Sequence, residues 1–140
     1  MKLGLMSGDT IPTGELRSSG FDAVQMFFSG GDSDPSPKDV DKILEADDVA
    51  LAAMTLHVSL VNERGTIQTD VERLVECVER TADLKSRFGD NECPLLIWHP
   101  SEYPSVADVD DNVVFQGLCQ ALSSACTVAE DKGVNIAVEI

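Results

Sequence analysis

Short apolar runs separated by amphipathic stretches of helical period extend from one end of this chain to the other. The runs are Lys2 to Met6 (KLGLM), Ala23 to Phe28 (AVQMFF), Val49 to Leu60, Cys93 to His99 (CPLLIWH) and Val134 to Ile140 (VNIAVEI). They are continuous rather than alternating, as expected of parallel strands covered on both faces. His57 interrupts the third run, and Pro94 stands at the start of the fourth, where a missing N–H does least harm to a ladder. Between the runs the spacing predicts helices. Gly20, as a left-handed residue, would close a short one around Gly14 to Ser19. Ser36-Pro37 reads as an N-cap followed by proline at the first helical position, leading into a stripe of Val40, Ile43 and Leu44. Asp70 is placed as the cap of a third helix, striped by Val71, Leu74, Val75, Val78 and Ala82. A fourth carries Val114, Leu118, Ala121, Leu122, Ala125, Val128 and Ala129 on one face, and Gly133 closes it.

Five strands and four helices thus alternate, the order of repeated βαβ units. A complete eight-unit barrel takes about 250 residues, or roughly 31 per unit. The 140 residues of this chain therefore hold about four and a half units. The fold class predicted is α/β: a parallel (βα) barrel of TIM type, its N-terminal half, as one partial domain over residues 1–140 that lacks strands six to eight. The competing fold is an open doubly wound sheet, for which five strands make a complete domain. That fold normally finishes with a helix, whereas here the last run is a strand. A parallel edge strand left open invites pairing, so the expectation is a truncated chain, a partial reading frame, or a half-barrel that self-associates through its open edges.

Charge narrows the partners. Ten basic residues face 25 acidic ones, a net of −15 spread along the chain. Such a surface repels phosphate backbones and anionic lipid, so neither a nucleic acid nor a membrane is expected as partner. The first residues contain no apolar stretch of the length a secretory signal needs, and a cytoplasmic location is expected. The four cysteines, at 77, 93, 119 and 126, include no CxxC pair and are expected to be small buried thiols.

Candidate chemistry sits where strands end. In parallel α/β folds, catalytic groups project from the C-terminal ends of strands and the loops beyond them. His57, His99 and Glu139 hold such positions at the ends of the third, fourth and fifth strands, which predicts that they converge on one rim. A carboxylate beside Ile136-Ala137-Val138 is costly unless it meets a metal or a partner. Trp98 precedes His99 in a strand, so its side chain should point the other way, into the core. Asn62 and Glu63 follow the third strand; a contact to a sugar hydroxyl and a turn role both stand open. Glu102 reads as solvated loop.

On these residues a resemblance can be stated. LLIWHP, followed by a helix and then GVNIAVEI, resembles the stretch of xylose isomerase-like TIM barrels in which strand four ends in His-Pro and strand five in a metal-binding Glu. GFDAVQMFF is similar to that family's second strand, and LAAMTLHVSLVNERG to its third. The resemblance covers essentially the whole chain. It implies that Glu139 is the first carboxylate ligand of a divalent metal, with Glu139 and His99 catalytic. His57 and Asn62 would bind substrate; in the endonuclease IV branch the two histidines would be metal ligands. The family completes its site with an Asp, a His and a second Glu from strands six to eight. Many relatives have Gly where Ser101 follows His99-Pro100.

The activity implied is isomerisation or epimerisation of a sugar or sugar phosphate, in which a proton next to a carbonyl is removed and the enediolate charge is held by a cation. Mn²⁺ or Mg²⁺ suits oxygen-rich donors, with Zn²⁺ as the alternative where imidazoles dominate. Two other readings stand beside it: a zinc-dependent apurinic endonuclease, against which the acidic charge counts, and a non-catalytic half-barrel binding module.

Overall fold

The structure, a computed structural model, describes residues 4–6, 14–28, 34–89, 94–101 and 110–139. Its centre is a sheet of five strands: β1 (Gly4–Met6), β2 (Ala23–Phe28), β3 (Ala50–His57), β6 (Leu95–His99) and β7 (Asn135–Val138). Every neighbouring pair is parallel, and the strands lie side by side in chain order. That order decides between the two folds open at the sequence level. A doubly wound sheet reverses direction at a switch point, whereas here each new strand is laid on the same side of the last, the winding of a barrel.

Three α-helices are present among the described residues: α1 (Pro37–Asp47), α2 (Gln68–Asp83) and α3 (Asp111–Lys132). They cover one face of the sheet. Val24, Met26 and Phe28 of β2, Met54 and Leu56 of β3, and Leu96 and Trp98 of β6 form one core with Val40, Leu44, Leu74, Val78, Ala121 and Ala125 from the helices. Because side chains alternate along a strand, the intervening residues point to the opposite, barrel-lining face. Gln25, Phe27, Ile97, His99 and Ala137 are half-buried there.

Local chemistry explains where the helices stop and start. Ser36 caps α1, its hydroxyl accepting from the Asp39 N–H at 3.3 Å, while the Asp39 carboxylate reaches back to the Ser36 N–H. The Ser36 hydroxyl, and after it Lys42, holds the Asp39 carboxyl below its ordinary value. Gly133 closes α3 at φ +67°. At the far end of α1, the buried Asp47 carboxylate accepts the N–H groups of Gly14 and Leu16, each at 2.8 Å, and so fixes the turn that leads into β2.

Several expectations are corrected. The stretch around Gly14 to Ser19 is a run of turns rather than a helix, although Gly20 does take a left-handed φ of +90°. The third apolar run leaves the sheet at His57: Val58 and Leu60 are buried, but as the start of a loop that enters a two-stranded antiparallel hairpin, β4 (Val61–Asn62) and β5 (Gly65–Thr66). Asp70 does not cap α2; the helix begins at Gln68 behind Ile67, which offers no capping side chain, and Asp70 sits inside the first turn beside Arg73. Cys77 is buried, its thiol pushed up to about 12 mainly by desolvation, but Cys119 and Cys126 are exposed. The seam of α3 is made by Gly117, Ala121, Ala125 and Ala129. Cys119 lies two residues from both Gly117 and Ala121, on the far side of a helix with about 3.6 residues per turn. Cys93 and Glu102 fall outside the described residues. Among the described residues, no helix is long and apolar enough to cross a membrane.

Candidate functional site

The barrel-lining face carries its polar groups in rows. Register pairs Phe27 with Thr55, Thr55 with Ile97, and Ile97 with Ala137, so one row crosses four strands. The next row towards the C-terminal ends contains His57 paired with His99. Glu139 continues it, because it lies two residues beyond Ala137 and its N–H extends the ladder to the Trp98 carbonyl at 3.0 Å. His57, His99 and Glu139 therefore occupy one line across three adjacent parallel strands. The arrangement follows from sequence position: each is an odd-numbered residue at the end of its strand, two places beyond a member of the row below, Thr55, Ile97 or Ala137.

Within the row the imidazoles touch. The rings of His57 and His99 stack with centroids 4.6 Å apart at 29°, and the Phe27 and His57 rings meet nearly at right angles, 5.3 Å apart at 81°. His57 is exposed and His99 half-buried. The Nδ1 atom of His99 is itself buried and has no hydrogen-bond partner among the described residues. A buried ring nitrogen in that condition calls for a ligand or partner. Glu139 is exposed at the end of the row.

Asn62 is not in this row. It belongs to the hairpin, where its Oδ1 accepts the Arg64 N–H at 2.8 Å, and Glu63 pairs with Arg64 at 3.6 Å across exposed surface. Of the two roles open to Asn62, the structure shows the turn.

Two side-chain pairs that the sequence does not reveal as pairs support the rim. Gln25 donates through Nε2 to the fully buried Thr55 hydroxyl at 2.6 Å, one layer below the histidines. The Ser59 and Ser101 hydroxyls meet at 3.1 Å, tying the loop after β3 to the loop after β6. Lone Ser, Thr and Gln residues are too common for spacing to single them out; only the strand register brings these pairs together.

A carboxylate and two imidazoles are the donor types that divalent cations take. Among the described residues no three His, Cys, Asp or Glu side chains gather closely enough to hold an ion by themselves, so the row fits as part of a coordination shell and not as the whole of one.

Residues 14–140 match the family model described as the xylose isomerase-like TIM barrel. Among solved structures, the xylose isomerase domain protein from Planctomyces limnophilus matches over 99% of this chain, with a TM-score of 0.60 and 13% identity. At that identity the likeness is one of fold. The chain spans about half the length of that protein, 52%. A comparison with curated proteins finds no match.

Proposed function

Because the chain belongs to the xylose isomerase-like TIM barrel family, which includes sugar isomerases and epimerases as well as endonuclease IV-like enzymes, we propose that it forms the first five strands of a barrel that isomerises or epimerises a sugar or sugar phosphate. The observation that supports this reading is the single row of His57, His99 and Glu139 at the C-terminal ends of adjacent parallel strands, where such folds keep their chemistry.

The reaction removes a proton from a carbon next to a carbonyl and returns it elsewhere, through an enediolate whose charge must be held. A divalent cation, when bound, supplies Lewis-acid stabilisation of those oxygens. Glu139 contributes one carboxylate towards holding Mn²⁺ or Mg²⁺, or Zn²⁺ where imidazoles share the shell, and takes part in the proton transfer. His99, fixed by the sheet and stacked on His57, orients a substrate hydroxyl beside it. His57, exposed on the outer side of the stack, meets a second hydroxyl or a phosphate. Asn62, whose Oδ1 is engaged in the turn, has its amide N–H groups for substrate. The family's remaining ligands lie on strands six to eight, so in this reading the row formed by residues 1–140 works as part of a completed barrel.

The contact between two imidazoles also suits the zinc-dependent endonuclease reading, against which the net charge of −15 stands. One experiment separates the readings. Mn²⁺, Mg²⁺ and Zn²⁺ are titrated calorimetrically into a protein carrying the completed barrel and into its Glu139→Gln variant, with turnover followed on aldoses, ketoses and their phosphates and on an abasic duplex. The expected result is at least a tenfold loss of metal affinity in the variant, about 1.4 kcal/mol, together with loss of sugar turnover. Unchanged affinity and turnover would reject the assignment of Glu139, and cleavage of the duplex would move the protein to the other branch.

A further inference from the structure

We infer that Trp98 is a positioning residue for the histidine pair, acting from the opposite face of the sheet through the backbone of Val58. This deepens the reading of the rim proposed above and rests on it only for its functional meaning; the geometry stands by itself.

Trp98 is the only tryptophan of the chain and is 2% exposed, packed on the helix-covered side of β6. Its indole Nε1–H donates to the Val58 carbonyl at 2.9 Å. The Val58 N–H in turn donates to the His99 carbonyl at 3.3 Å. Both backbone polar groups of Val58 are thus held by the consecutive residues Trp98 and His99. Val58 is also the residue at which the chain leaves the sheet, one step beyond His57.

The last pair of a parallel ladder has no further strand pairing to hold it, and strand ends open more readily than strand centres. Here the ladder ends on His57 opposite His99, and the turn towards the hairpin begins at once. The Nε1–H bond adds one more tie past that end. Because Val58 adjoins His57 and Trp98 adjoins His99, a single bond on the covered face fixes the relative position of two rings on the lining face. A buried indole N–H needs an acceptor in any fold. What singles out this one is its choice of acceptor: the carbonyl next to one histidine, reached from the residue next to the other.

The chain has two histidines and one tryptophan, which makes the test direct. Proton NMR of the metal-free protein reads the cross-peak between the His57 and His99 rings, with the aliphatic cross-peaks of the buried Phe88, which bridges to Leu51 at the start of β3, as a control for general loosening. Trp98 is replaced by benzothienylalanine, which keeps the bicyclic shape and puts sulfur in place of N–H; Trp98→Phe is the second variant. The expected result is loss of most of the inter-histidine intensity in both variants with the Phe88 pattern retained. The indole proton of the unmodified protein is expected to be slow to exchange with solvent. Full inter-histidine intensity in the benzothienyl protein, parallel loss at Phe88, or an indole proton that exchanges at the rate of an exposed one would each overturn the inference. No turnover is needed, so a failure of the isomerase reading and a failure of this one are told apart.

Discussion

Asp47 shows what a single buried carboxylate can fix through backbone N–H groups. An acid in the last turn of a helix opposes the macrodipole, and α1 has no basic residue in that turn to compensate. That mismatch is the signal in the sequence that Asp47 has another task, which the structure identifies as holding the Gly14 and Leu16 N–H groups at 2% exposure. Hydrogen bonds to a charged acceptor contribute about 1.5–3 kcal/mol each. Asp47→Ala is therefore expected to lower stability by about 3 kcal/mol in urea unfolding, and Asp47→Asn by clearly less, since one acceptor oxygen remains. Equal losses would show that the acceptor is not what matters. The same contrast describes the rim. His57, His99 and Glu139 are legible as residues because an apolar strand has little reason to end on a polar group. The His57–His99 stack, the Ser59–Ser101 contact and the Trp98–Val58 bond are not, because each pairs residues about 40 apart and depends on register between strands.

At the scale of elements, caps were readable and apolar runs were less so. Ser36-Pro37 and Gly133 mark the ends of α1 and α3 by chemistry that acts within one turn. The stretch from Val49 to Leu60 reads as one long strand since burial under Trp98 and the hairpin selects the same residue types as burial in a sheet. The hairpin itself escapes the pattern: its strands are two residues each, too short to show a period. Its attachment to α3 is nonetheless specific. The Thr66 hydroxyl donates to the Gly117 carbonyl at 3.2 Å, and a Cβ added at Gly117 would stand 3.2 Å from both Thr66 Oγ1 and Val61 Cγ1. A small residue is required there by the approach of the hairpin. Gly117→Val is expected to reduce stability by about 1–3 kcal/mol through overpacking, outweighing the gain of about 0.5 kcal/mol in helix propensity. A variant as stable as the parent would show that the hairpin yields freely.

For the whole molecule, two properties are legible in the sequence. The alternation of elements and the length per unit point to half a barrel, and the sequential parallel order β1-β2-β3-β6-β7 agrees. A net charge of −15 on 140 residues sets up self-repulsion that salt relieves, because the Debye length falls from about 30 Å at 0.01 M to about 3 Å at 1 M. The melting temperature is expected to rise by several degrees over that range of sodium chloride. A flat or falling profile in a thermal scan would mean that local ion pairs, such as Arg87 with Asp41 at 2.8 Å, outweigh the global field.

One feature of the rim also supplies its own reporter. A lone indole that is 2% exposed directly behind the two imidazoles emits light from within the layer on which they rest. Its fluorescence should be blue-shifted and shielded from acrylamide quenching. Any event that parts β3 from β6 at their C-terminal ends will be seen there before the remainder of the chain unfolds.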